Sequence, residues 1–273
     1  MKLYQVDSFA DRPFKGNPAG VCVLSGEEAA RAADQWMQDL AMEMNLSETA
    51  FLFKEKETYS LRWFTPAVEV DLCGHATLAS AHILWSEKFE PEDSELIFNT
   101  RSGRLGAANR AGWITLDFPS DGPVEADPPE GLLDALFAGG GTGSAAPVYS
   151  GKTKFDWFVC VATEEEVRRV RPNFEALAEV TGRGVVITAP SSDSAYDFVS
   201  RFFAPAAGIP EDPVTGSAHC CLGPYWQARL KKNEFTAYQA SPRGGVVKVE
   251  VRDRRTRISG KALTIFELSP RDI

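Results

Sequence analysis

Residues 62–85 read RWFTPAVEVDLCGHATLASAHILW, and residues 201–226 read RFFAPAAGIPEDPVTGSAHCCLGPYW. Both open Arg-aromatic-Phe-x-Pro, at Arg62 to Pro66 and at Arg201 to Pro205. Both then pass through an acidic residue to a Gly and a run of small residues ending near a Trp. Gly74 follows Arg62 by 12 positions and Gly216 follows Arg201 by 15, so the second copy is about three residues longer before its Gly. The chain therefore carries an internal repeat, with a unit longer than that of a solenoid.

The flanks repeat as well. Ser25-Gly-Glu-Glu28 is a capping box leading a helical stretch to about Met44, and Thr163-Glu-Glu-Glu166 leads another to about Val180. Strand-rich segments open each half: YQVDSF and GVCVL in the first, WFVCVA in the second. SELIFNT, GRLGAA and WITLDFP follow the first repeated unit; FTAYQA, GVVKVEV and ALTIFELS follow the second. The alternation in ISGKALTIFEL suits half-buried strands. HATLASAHILW has almost no polar face, nor has SAHCCLGPYW despite Pro224, and a helix apolar all round is a buried one. The expectation is an α+β fold of two pseudo-symmetric halves, residues 1–121 and 122–273. Each half is a curved, barrel-like, mostly antiparallel sheet around one central helix. The seam near 120–147 holds prolines, acids and the patch GGGTG at 139–143. That patch has no preceding strand and no following Lys-Ser/Thr, so it reads as a linker, not a phosphate loop.

The sequence excludes several functions. The net charge is −9, and each short basic cluster, such as Arg168, Arg169 and Arg171, has acids beside it, which argues against a nucleic-acid partner. The N-terminal MKLYQVDSFADRP lacks a signal-peptide core, and no apolar run approaches the ~18 residues of a membrane span. We expect a cytoplasmic protein with no membrane contact and five thiols not in disulfides. Each central helix starts just after a Gly, at His75 and Ser217. In a pseudo-symmetric pair both N-termini point into one cleft, where unpaired N–H groups and partial positive charge hold a carboxylate without Lys or Arg.

Five blocks carry a family resemblance: Phe14-Lys-Gly-Asn-Pro-Ala-Gly-Val21, Glu43-Met-Asn-Leu-Ser-Glu-Thr-Ala-Phe51, Arg62-Trp-Phe-Thr-Pro66, Leu72-Cys-Gly-His-Ala-Thr77 and Glu211-Asp-Pro-Val-Thr-Gly-Ser-Ala218. In content and order they resemble the phenazine-biosynthesis PhzF-like family. The resemblance implies the diaminopimelate epimerase fold and an isomerase that moves a proton on a small carboxylate substrate without a cofactor. It implies Glu48 as proton donor and acceptor, with His75 and Asp212 lining the same site. It assigns the substrate carboxylate to Gly74, Gly216 and the Ser217 hydroxyl, and a further contact to Asn17. Family members are often homodimers; the sequence itself leaves monomer and homodimer open.

Glu48 enters an apolar stretch, Thr-Ala-Phe-Leu-Phe. A carboxyl in an enclosed apolar site has its pKa raised, which suits a group that takes and returns a proton. The plainer alternative is a Glu paired with a basic residue at a strand end. His75 alone could satisfy a backbone group, and Asp212 could cap its helix or raise the pKa of Glu48 by repulsion. Epimerases of this fold use two thiols. Cys73 occupies such a place, but its counterpart is Thr215, which disfavours a two-thiol racemase. Cys73, His75, His219, Cys220 and Cys221 do not match zinc spacings, so no metal is expected. No Gly-x-Ser-x-Gly or Gly-x-Gly-x-x-Gly motif is present. The rival function is a non-catalytic carboxylate-binding or regulatory protein on the same scaffold.

Overall fold

Two units built to one plan make up the described chain. The structure, a computed structural model, describes residues 1–140 and 147–269, so 141–143 of the Gly-rich patch lie outside the described residues. Met1–Phe118 and the segment from Ser259 onward form one compact unit, and Pro119–Ile258 forms the other.

The first unit runs β1 (Lys2–Ser8), β2 (Asn17–Leu24), α1 (Gly26–Arg31), α2 (Asp34–Met44), β3 (Glu48–Glu55), β4 (Thr58–Phe64), β5 (Glu69–Val70), α3 (Gly74–Ser86), β6 (Leu96–Thr100), β7 (Gly103–Arg110) and β8 (Trp113–Pro119). The second runs β9 (Val124–Glu125), α4 (Leu132–Leu136), β10 (Tyr149–Lys152), β11 (Asp156–Cys160), α5 (Glu164–Arg169), α6 (Phe174–Thr181), β12 (Gly184–Pro190), β13 (Phe198–Ala204), β14 (Ile209–Asp212), α7 (Gly216–Leu230), β15 (Glu234–Gln239), β16 (Gly245–Arg252) and β17 (Arg255–Gly260). The last strand, β18 (Ala262–Leu268), pairs antiparallel with β1.

In the first unit the pairing order is β18, β1, β2, β3, β4, β6, β7, antiparallel except for parallel β2–β3 and β4–β6. In the second it is β9, β10, β11, β12, β13, β15, β16, with parallel pairs at the same two steps, β11–β12 and β13–β15. The repeat seen in the sequence is thus a repeat of topology. The α+β fold of two similar halves, each a mostly antiparallel sheet on a central helix, is what the structure has.

The repeated Arg explains itself in this frame. From β4, Arg62 Nε and Nη2 donate to the two carboxylate oxygens of Glu69 on β5, at 2.7 and 2.8 Å. From β13, Arg201 Nε and Nη2 do the same to Glu211 on β14, at 2.7 and 2.9 Å. Each copy clamps its short return strand with a planar bidentate pair, the geometry only Arg provides.

Helix α3 packs against β1, β2, β3 and β18, and its side chains from His75 to Ala81 are all buried. Helix α7 is buried likewise from Ala218 to Gly223. A second apolar layer lies on the other face of each sheet. Met37, Leu40 and Ala41 of α2 meet Leu3, Cys22, Leu24, Phe51 and Phe64. Val167 and Leu177 of α5 and α6 meet Val159, Val185, Ile187 and Phe203. With both faces covered, strands such as β12 are buried almost throughout, which hides the period-two pattern.

Three local features depart from the sequence expectation. Both capping boxes form, at Ser25 with Glu28 and at Thr163 with Glu166, but each expected helix is two helices. Pro172 lies in the break between α5 and α6. Ala32 and Ala33 are extended between α1 and α2, with no breaker residue to mark it. The expected seam contains α4, whose Leu132, Ala135 and Leu136 are core residues of the second unit. Pro224 has no N–H for the Cys220 carbonyl four residues back, and the Asp121 amide donates to that carbonyl instead, at 3.0 Å.

Candidate active site

Glu48 is the first residue of β3, placed by parallel pairing opposite Ala19 of β2. That register puts it near Asn17, the first residue of β2, which is fully buried and accepts from the Ser47 hydroxyl at 3.4 Å. The α3 helix begins at Gly74, after an extended Cys73 whose side chain makes no cap hydrogen bond. The Thr77 hydroxyl instead donates to the Cys73 carbonyl at 2.6 Å, and Ser8 Oγ donates to the His75 carbonyl at 2.7 Å. These bonds fix the loop that delivers His75.

The imidazole of His75 then sits between two partners. Its Nε2 lies 3.2 Å from Glu48 Oε2, and its Nδ1 lies 3.5 Å from Cys73 Sγ. The Nε2–Oε2 approach is close but not aligned as a completed hydrogen bond. Such contacts commonly tighten only when substrate is bound. Burial pulls the His75 pKa down to about 3, so the ring is neutral near pH 7. The Glu48 side chain is 13% exposed, and its Oε2 facing His75 is buried, so the carboxylate is enclosed.

The second unit has a corresponding station with different chemistry. Helix α7 begins at Gly216 after extended Thr215, again with no side-chain cap. His219 Nδ1 faces the Thr215 carbonyl at 2.8 Å, the role Thr77 plays in the first unit. Asp212 ends β14 and accepts a hydrogen bond from the Thr215 hydroxyl. Gln239, fully buried, accepts from the Thr215 amide at 2.8 Å and donates to the Asp212 carbonyl at 2.8 Å. Arg183 pairs through two nitrogens with Asp156, and its Nη2 lies 3.5 Å from Ser217 Oγ.

Strand register aligns the two stations residue by residue. Thr49 pairs with Phe64 and Val185 with Phe203, the matching Phe of each repeat. Glu48 therefore corresponds to Gly184, Cys73 to Thr215 and His75 to Ser217. A Cβ at Gly184 would lie 2.5 Å from the Phe203 carbonyl oxygen, so that position excludes any side chain. At the matched positions, the acid, the imidazole and the thiol of Glu48, His75 and Cys73 are replaced by Gly184, Ser217 and Thr215.

Of the residues expected at the site, Asn17, Glu48, Gly74 and His75 come together in the first unit, while Asp212, Gly216 and Ser217 come together in the second. Ser8, Ser47, Gln239, Arg183 and Asp156 were missed. Ser47 adjoins Glu48 inside a family block and could have been flagged; the others owe their places to long-range pairing and carry no local signal.

Donor atoms of Glu48, Cys73 and His75 lie within 4.8 Å of one another, and these are residue types that zinc accepts. The thiols of Cys220 and Cys221 turn back to carbonyls of their own helix, Gly216 at 3.7 Å and Ala218 at 2.9 Å. All five cysteines are buried thiols outside disulfides.

Fold and site together define a duplicated α+β protein with an acid–imidazole–thiol cluster at the start of one central helix. The chain belongs to the phenazine biosynthesis-like protein family, PhzC-PhzF, whose model matches residues 6–268. It is 50% identical over 265 residues to an uncharacterized isomerase of Halalkalibacterium halodurans, covering 97% of this chain and 96% of that one. It is 39% identical to the human phenazine biosynthesis-like domain-containing protein, with 98% of each chain covered. The crystal structure of a PhzF family protein of Enterococcus faecalis superposes with a TM-score of 0.88 at 40% identity, covering 98% of both chains. A hydroxyproline epimerase from Agrobacterium vitis shares the fold, with a TM-score of 0.60 at 12% identity over 98% of this chain and 91% of that one.

Proposed function

We propose that this protein is a PhzF-like isomerase or epimerase that moves a proton on a small carboxylate metabolite without a cofactor. Glu48 takes and returns the proton. His75 orients the carboxylate of Glu48, and Asp212 is a further acid of the substrate site. The substrate carboxylate is assigned to the backbone at Gly74 and Gly216 and to the Ser217 hydroxyl, with Asn17 as a further contact. The observation that carries this reading is the enclosed Glu48 beside a neutral, buried His75. A base poised against a neutral imidazole is suited to proton abstraction near neutral pH. The name of the Halalkalibacterium halodurans relative, an isomerase, supports the reaction class.

The test is deuterium uptake from heavy water. Wild-type protein is incubated with cyclic and α-amino carboxylates and the compounds are read by mass spectrometry. Exchange into one class supports the isomerase and names its substrate chemistry. A carboxylate that binds tightly yet never exchanges would favour the binding-protein alternative.

A further inference from the structure

We propose that Cys73 is a positioning residue: its thiol donates to His75 Nδ1, fixing the imidazole as the Nε2–H tautomer that presents its proton to Glu48. A neutral imidazole has one N–H and one acceptor nitrogen, and the partner of each nitrogen decides which is which. At Nε2 the partner is a carboxylate oxygen 3.2 Å away, which when ionised only accepts. At Nδ1 the partner is Cys73 Sγ at 3.5 Å, within reach of an S–H donor. The opposite tautomer would set the Nε2 lone pair against the lone pairs of Glu48. Cys73 is the residue before the first turn of α3, and Thr77 and Ser8 hold the backbone on either side of Gly74. Those bonds fix the backbone from which both the thiol and the ring project. Burial leaves the ring neutral near pH 7, which makes the tautomer the variable that matters.

This explains a cysteine that the proposed proton transfer does not itself consume. Cys73 acts through His75, as second partners of imidazoles do elsewhere. The tautomer stands whether or not Glu48 moves a substrate proton; only its use in catalysis rests on the function proposed above.

The test is nitrogen NMR of protein labelled with ¹⁵N-histidine, where protonated and unprotonated ring nitrogens are well separated. There are three histidines, and loss of one set of signals in His75→Asn assigns His75. His219 is an internal standard of the opposite kind: its Nδ1 faces a carbonyl, which only accepts, so it must be Nδ1–H. The expected result is Nε2–H for His75 in wild type and in Cys73→Ser, which keeps a donor. In Cys73→Ala the His75 signals shift to those of a tautomer mixture while those of His219 stay in place. If the Ala variant disturbs His219, Cys73→Val gives the same comparison with the volume retained. Nδ1–H at His75 in wild type, or pure Nε2–H in a folded variant lacking the donor, would overturn the proposal.

Discussion

Gly184 stands in the second unit where Glu48 stands in the first, and the difference between them is steric before it is chemical. A Cβ at Gly184 would run into the Phe202 ring and the Phe203 carbonyl. We predict that Gly184→Glu installs no second base and costs roughly 1–3 kcal/mol, as overpacking does; urea unfolding would read it. Gly16, just before Asn17, is a backbone case. Its φ is +67° and a Cβ there would meet the Ser8 carbonyl oxygen at 2.0 Å. Gly16→Ala is predicted to destabilise by more than about 1 kcal/mol, because both strain and clash oppose it. A variant as stable as wild type in the same assay would contradict this. At this scale the sequence was legible in its motif residues. Glu48 and His75 stand out once the family blocks are seen, and the structure puts them in contact. Gln239 and Arg183 did not stand out: a buried glutamine in β15 looks like any strand glutamine until the β14–α7 loop is folded against it.

Between elements, the matched Arg residues show how one motif is buried to different depths. Arg201 is 7% exposed and also donates to the Val170 carbonyl at 2.8 Å and the Val167 carbonyl at 3.1 Å, tying α5 to β13 and β14. Arg62 is 26% exposed, and its third partner is Asp34 on α2. Arg201→Met should therefore cost about 3–5 kcal/mol, since it removes a buried guanidinium that bridges Glu211 and the Val167 and Val170 carbonyls. Arg62→Met should cost about 1 kcal/mol. Equal losses in chemical denaturation would refute the difference. The repeat, the capping boxes and the two buried helices could be read from the sequence because each has a local signature. The break at Ala32–Ala33 could not, since alanine favours a helix and the extended turn there answers to the packing of α1 and α2 on the sheet. Helix α4 was masked by the prolines and glycines around it; its Leu132 and Leu136 matter because of α6 and β12.

For the molecule as a whole, all three histidines are folded in the neutral form. Burial lowers His75 to about 3 and His82 and His219 to about 4, against about 6.5 in an unfolded chain. Between those values the unfolded chain binds more protons, so stability rises with pH across this window. It is complete above about pH 6.5 and falls on acidification by about 1.4 kcal/mol per pH unit for each histidine. The stability from Glu164, lowered to about 2 because hydrogen bonds from Ser192, Arg168 and Ser191 outweigh its burial, is fully present above about pH 4.5 and is lost only below it. A urea midpoint compared at pH 7.5 and 5.0 therefore isolates the histidines, and an unchanged midpoint would contradict their burial as neutral groups. Among the described residues no helix is long and apolar enough to cross a membrane.

The Glu48–His75–Cys73 cluster has no equivalent at the matching positions of the second unit, which hold Gly184, Ser217 and Thr215, so proton transfer falls to Glu48. That role is tested most directly by deuterium exchange in Glu48→Gln at a saturating concentration of whichever carboxylate the wild type labels. Binding is expected to survive and exchange to fall by at least about 10²-fold, the scale of a lost general base. Exchange at the wild-type rate in a folded Glu48→Gln would remove Glu48 from the mechanism and return attention to Cys73 and Asp212.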